Sequence, residues 1–271
     1  MKNEEKTIWY IFYLYLFTAL LNIFGILFHF QLFNNSLFRI ILPTYLPLFV
    51  LILYAFHTLS IPRNLFFIIL ASLMGLFFEI YGLSSGTFFG GEYIYNLKMQ
   101  LVFGVPFLII LYWIFFIYLG YSITNSFLYW FNKNKPNKNN PALFLLAMLI
   151  VGDGLTVTTI DLFMDPIQVK AGAWVWLHGG AYFGVPLGNF VGWFIVTIVV
   201  TATFRLFEYF YPQKFLPLNK PIFLIPIMIY TVFAFSYALS AIQFGLYNLA
   251  FVGSFIMFSL ISVNLYFYKN Y

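Results

Sequence analysis

Eight of the 271 residues are acidic, and their positions decide what chemistry the chain could do. Glu4, Glu5 and Glu208 fall at the ends of apolar stretches and are expected to face water. Glu79, Glu92, Asp153, Asp161 and Asp165 remain. An Asp inside a membrane span costs about 2.5–3.5 kcal/mol on insertion scales, so such a residue is expected to have a role. Asp161 and Asp165 are four residues apart and share one helical face. Pro166 follows directly and disfavours continuing the helix, which places the pair at the outer end of the fifth apolar segment. Glu79 lies at the outer end of the third, at the same depth. Three carboxyls from two helices, Glu79, Asp161 and Asp165, can therefore converge as catalytic groups. The competing use is helix capping, or pairing with Lys98 and Lys170. Asp153 is near mid-span, either as a proton relay or as a buried hydrogen-bonding group with Thr156 as partner. Glu92 reads as an exposed loop acid.

The remaining chemistry-bearing residues point away from metals and cofactors. Cysteine is absent, which removes disulfides, thiolate metal sites and cysteine nucleophiles. His29, His57 and His178 fall on different sides of the membrane or in a loop and do not share a site, so a two-His-one-carboxylate iron centre is hard to assemble. The several His clusters of oxygen-activating membrane desaturases are missing. No phosphate-binding loop, dinucleotide fingerprint or serine nucleophile elbow precedes a suitable helix. The expectation is cofactor-free acid–base work with no metal. A carboxyl in an apolar setting can hold a proton near neutral pH and act as a general acid. Protonating a trisubstituted alkene gives a tertiary carbocation, which aromatic faces stabilise. A second carboxylate can then take a proton from attacking water. These residues suit alkene hydration, but a binding role fits the composition equally.

The elements that must position these groups are membrane spans. The chain is 63% hydrophobic, 8% charged and 24% aromatic, with a mean hydropathy of +0.91. Soluble domains are about 45–50% apolar and about 25% charged, so a soluble or disordered chain is excluded. A span needs about 20 mostly apolar residues. Eight such stretches occur: residues 8–30, 38–59, 65–83, 101–127, 142–163, 181–204, 222–242 and 246–268. The last two are parted only by Gln243-Phe244-Gly245, so seven is the alternative. The first stretch is too long and aromatic for a cleaved signal. The expected fold is an all-α polytopic transmembrane bundle forming a single membrane domain over residues 1–271. With eight spans, Lys and Arg divide ten against three between the two sides. That bias places both termini in the cytoplasm of a multi-pass cell-membrane protein. The polar stretch 128–141, rich in Asn, Lys and Pro, is then a cytoplasmic linker. Nucleic acid is not an expected partner; the scattered basic residues set topology and meet anionic lipid.

The chain also repeats itself in parallel, in units of about 65–127 and 142–204. Phe103-Gly-Val-Pro106 with Trp113 matches Phe183-Gly-Val-Pro186 with Trp193. Each proline is expected in a helix's first turn. An aromatic, glycine-rich loop precedes each, and an acid-bearing helix precedes each loop. Either FGVP is a common helix start at an interface, or the two units share a site between them. Tyr93, Tyr95, Trp174, Trp176 and Tyr182 are the aromatic residues at hand.

Several segments carry a resemblance. Glu79-Ile-Tyr-Gly82, Gly86 and Gly91-Glu-Tyr-Ile-Tyr95 are followed by Gly104-Val-Pro106 with Trp113. Then come Thr159-Ile-Asp-Leu-Phe-Met-Asp-Pro166, Ala171-Gly-Ala-Trp-Val-Trp176 and Gly184-Val-Pro-Leu-Gly-Asn-Phe-Val-Gly-Trp193. In this order they resemble the integral-membrane carotenoid biosynthesis family, which includes carotenoid 1,2-hydratases and bisanhydrobacterioruberin hydratases. The resemblance implies water addition across a terminal C=C of an acyclic C40 or C50 carotenoid, giving a tertiary alcohol. It implies a long polyene lipid substrate, water, membrane lipid and other carotenoid enzymes as partners. Glu79, Asp161 and Asp165 stand at the family's acidic positions. Asn189 matches a family position suited to orienting water, and Trp193 closes the motif. Glu92 and Asp153 fall outside the pattern.

Two other classes remain open at the level of sequence. Asp161-x-x-x-Asp165 could hold Mg²⁺-diphosphate in a membrane prenyltransferase, although a second Asp-rich cluster is lacking. Intramembrane acids in a repeated two-helix unit also fit a proton-coupled transporter.

Overall fold

The computed structural model describes residues 3–27, 36–134, 143–212 and 220–271, with side chains of the second helix from residue 45 onward. Among these, eight helices follow in order: α1 (Asn3–Leu27), α2 (Ser36–Thr58), α3 (Ile61–Ser85), α4 (Phe107–Asn134), α5 (Leu143–Ala171), α6 (Leu187–Phe210), α7 (Leu224–Gln243) and α8 (Tyr247–Asn270). The fold is an all-α polytopic bundle. Seven helices are long and apolar enough to cross a membrane, and α2 adds a shorter apolar stretch, Tyr45–Thr58. The last two are separate helices, broken at Gly245 in a left-handed conformation (φ 74°). Lipid supplies no hydrophobic force between helices, so close packing must hold them. The axis of that packing is α4, with 78% of its span buried against 22–50% for the other six. Gly75 of α3 lets α4 approach: a Cβ there would lie 2.5 Å from Trp113 Cγ.

Two helices, α3 and α5, carry the site carboxyls, α4 and α6 pack against them, and two small sheets close the ends. The strands are β1 (Tyr93–Tyr95), β2 (Leu101–Val102), β3 (Val105–Pro106) and β4 (Trp174–Trp176). β1 pairs antiparallel with β4 in a register centred on Ile94 and Val175. Alternation along a strand sends side chains to opposite faces. Tyr93, Tyr95, Trp174 and Trp176 therefore share one face toward the bundle, while Ile94 is exposed. The Phe-Gly pairs form matching turns. Phe103 (φ 51°) and Gly104 (φ 86°) connect Val102 to Val105; Phe183 (φ 50°) and Gly184 (φ 90°) connect Tyr182 to Val185. Two successive positive φ angles define the tight hairpin turn that matches strand twist.

Several helix boundaries differ from the sequence expectation. The fourth helix starts at Phe107 and the sixth at Leu187, because the preceding apolar residues are spent in these turns. Pro106 and Pro186 thus precede their helices rather than entering the first turn. The fifth helix continues through Pro166 to Ala171. Its final turn is closed by Gly172 N–H on Val169 O and Ala173 N–H on Gln168 O, and is anchored by β1–β4 pairing. The fourth helix runs on to Asn134, so residues 128–134 are helix and not linker. Phe127 and Trp130 pack there on Phe267 of α8. The rest of that linker, and His29, lie outside the described residues.

Candidate active site

Glu79 sits on α3 less than two turns before the helix ends at Gly86. It is buried and receives three hydrogen bonds. Trp113 Nε1 of α4 donates to Oε1 at 3.0 Å; the Tyr93 and Tyr95 hydroxyls of β1 each donate to Oε2 at 2.8 Å. Burial first, and the Glu79 carboxylate second, hold both phenols well above their ordinary range. They stay protonated and act as donors.

Asp161 and Asp165 lie buried on one face of α5. Asn189, in the first turn of α6, bridges them: its Nδ2 donates to Asp161 Oδ2 at 2.8 Å and to Asp165 Oδ2 at 2.7 Å. An amide nitrogen has two N–H groups, so one side chain can serve both carboxyls. Asp161 Oδ1 and Trp176 Nε1 are buried and have no hydrogen-bond partner among the described residues. Neither Lys98 nor Lys170 enters these contacts; both are exposed.

A cavity of about 30 Å³ lies among Glu79, Asp165 and Asn189, and the strand aromatics cover it. Tyr93, Tyr95, Trp174, Trp176 and Trp193 all line it, with Phe89, Ile109, Tyr112 and Met164. The volume is about that of one water molecule in the liquid. Asp161 touches the site through Asn189. Tyr182 does not reach it; it packs against Phe183 and Phe190 at the second Phe-Gly turn. Trp113 is the residue sequence reasoning left out of the site, although its matched spacing from Pro106 singled it out. Gly90 and Gly188 hold the loop against α6. A Cβ on Gly188 would lie 2.6 Å from the Gly90 Cα.

Several other charged residues depart from expectation in burial or partner, while Glu4 and Glu92 are exposed as expected. Asp153 is fully buried and bonded to Arg205, with Nε–Oδ2 at 2.6 Å and Nη2–Oδ1 at 2.8 Å, and it also accepts from the Thr124 hydroxyl. Thr156 instead donates to Gly152 O. Arg205 is therefore a buried partner and not a membrane-edge cation, because α5 and α6 pack residues 153 and 205 face to face. Glu5 is buried against His57 at 3.2 Å, and Glu208 accepts the Tyr121 hydroxyl at 2.9 Å. Of the three acids assigned to water, only Glu4 is well exposed. Glu92 and His178 are exposed. Among the described residues, no group of three His, Asp or Glu is arranged to hold a metal.

The arrangement joins a carboxylate held by three donors to a bridged carboxyl pair, under a roof of aromatic rings. No curated protein and no solved structure matches the chain. The family model for carotenoid biosynthesis proteins matches residues 40–260, a stretch that contains the whole α3–α6 site, and the chain belongs to that family.

Proposed function

We propose that the protein is a carotenoid hydratase, a hydro-lyase that adds water across a terminal C=C of an acyclic C40 or C50 carotenoid such as bisanhydrobacterioruberin. The observation that carries this reading is the unequal hydrogen bonding of the carboxyls around a water-sized space. Glu79 accepts three donors, so its negative charge is better supported than that of the aspartate pair, and it is assigned the base. Asp161 Oδ1 has no donor among the described residues and is the place for a proton, which makes the bridged pair the acid. In the forward step the pair gives its proton to the less substituted alkene carbon. The π electrons form the new C–H bond and leave a tertiary cation facing Trp176 and Trp193. Water attacks the cation, and its surplus proton passes to Glu79. The product is a tertiary alcohol; proton return from Glu79 to the pair restores the starting state. The aromatic roof contributes cation–π attraction worth about 2 kcal/mol or more when desolvated.

The site admits water but not an isoprenoid end group in this arrangement, so the roof must shift for substrate. The polyene enters from lipid, and both termini lie in the cytoplasm of a cell-membrane protein, a topology supported by the Lys and Arg bias. Association with other carotenoid enzymes would supply the substrate directly.

The test is expression in hosts that accumulate lycopene or its prenylated C50 derivative, with pigments read by mass spectrometry. A gain of one or two waters, lost in Glu79→Gln and Asp161→Asn, is expected. Wild-type turnover in both variants would overturn the carboxyl mechanism. Mg²⁺-dependent prenyl transfer, or proton-coupled flux without product, would replace the hydratase reading.

A further inference from the structure

A cavity of about 730 Å³ lies away from the carboxyls. It shares no lining residue with the acidic site. Arg63 marks it on α3, sixteen residues before Glu79, which is ~24 Å along a helix rising 1.5 Å per residue. Tyr271 also lines it, so it opens at the end of the bundle that carries the C-terminus. Between the two sites, Phe67 and Phe204 meet edge to face at 4.9 Å and are fully buried. The volume is within the range of small-molecule sites, about 300–1,000 Å³.

Its lining selects a kind of ligand. Tyr54, Tyr129 and Tyr209 bring phenol groups and flat ring faces, and Leu146 and Leu149 supply an apolar wall. The guanidinium groups are already engaged. Arg205 donates to Asp153, Asn125, Thr124 and Tyr121 O; Arg63 donates to Tyr211 O and lies 3.9 Å from Glu208. Lys133, the third cation in the lining, is exposed. Beside Glu208 an anionic group would find the two guanidiniums neutralised, whereas a hydroxyl can exchange hydrogen bonds with phenols without desolvating a charge.

We propose that this cavity is a second binding site, for the neutral, hydroxyl-bearing end of a long-chain isoprenoid. The isoprenoid part rests on the hydratase reading, because a tertiary alcohol on an isoprenoid chain is what that reaction yields. The hydroxyl part rests on the cavity alone. The ligand is taken as a separate molecule from the one at the carboxyls, since the two cavities share no lining residue and the Phe67–Phe204 pair is buried.

The experiment is photo-crosslinking of the full chain in nanodiscs with geranylgeraniol bearing a diazirine near its hydroxyl end, mapped by peptide mass spectrometry. Labels are expected on residues 118–132 and 146–149. Leu149→Trp, which fills the cavity, should reduce them at least tenfold. Tyr129→Phe with Tyr209→Phe should weaken them several-fold, and unlabelled geranylgeraniol should compete. If Leu149→Trp does not fold, the Tyr→Phe pair and the competition carry the test. Labels confined to lipid-facing residues, labels indifferent to the Tyr→Phe pair, or stronger competition by geranylgeranyl diphosphate or by the hydrocarbon squalene would overturn the proposal. Glu79→Gln should leave this labelling intact. Labelling without pigment hydration would therefore sink the hydratase reading while leaving a hydroxyl site, and hydration without labelling would do the reverse.

Discussion

Trp113 and Trp193 stack with ring centroids 4.1 Å apart and planes 29° from parallel. Each is the seventh residue after the proline of its FGVP segment, so equivalent positions of the two units meet face to face in the core. The stack fixes the Trp113 ring, and the fixed ring aims its N–H at Glu79. A contact between the units thereby orients a carboxyl that belongs to one of them.

Removing that N–H tests the link. Trp113→Phe keeps a ring in the stack but leaves Glu79 one donor short. A hydrogen bond to a charged group is worth about 1.5–3 kcal/mol, so pigment conversion should fall roughly 10- to 100-fold with normal membrane insertion. Trp193→Phe, which donates nothing to Glu79, should cost less. Equal losses in the two would mean that the Trp113 N–H is not what sets the rate.

Asn189 is expected to carry both structure and rate. Asn189→Leu strips a donor from two buried carboxyls, each a loss of about 1–3 kcal/mol. Detergent-solubilised protein should melt several degrees lower and convert no pigment. Asn189→Gln should insert normally yet remain slow, because the longer side chain misplaces the bridge. Melting temperature and product yield, measured on the same samples, separate the two effects.

The Asp153–Arg205 pair should act as a structural pair. Breaking a buried ion pair from one side costs about 3–5 kcal/mol, whereas replacing both partners with apolar residues is often neutral. Arg205→Met alone should lower the melting temperature sharply, and adding Asp153→Leu should restore most of it with turnover retained. A double variant that is stable but inactive would assign the pair a part in proton movement.

Gly188→Ala should be far more damaging than Gly152→Ala. The first places a methyl group 2.6 Å from the Gly90 backbone, and the second only reaches Thr124 Cγ2 at 3.4 Å. Neither backbone contact nor loop position can yield easily in the first case, so folded protein should be lost there and kept in the second. Size-exclusion profiles of tagged protein decide this directly.

Composition and periodicity by themselves determined that this chain is a bundle of apolar helices. They also placed Glu79, Asp161 and Asp165 on helices near one end, since four-residue spacing fixes a shared face. The Tyr-x-Tyr and Trp-x-Trp segments showed their alternation but not their partnership. That β1 would pair with β4 was decided by the fold, as was the reach of Trp113 to Glu79 and of Asn189 to both aspartates. Helix continuation through Pro166 and the Asp153–Arg205 contact were decided there too. These contacts join residues 34, 28 and 52 positions apart for Trp113–Glu79, Asn189–Asp161 and Arg205–Asp153. Local periodicity tells which residues share a face. It does not tell how each helix is rotated in its bundle, which is set by packing against every neighbour at once.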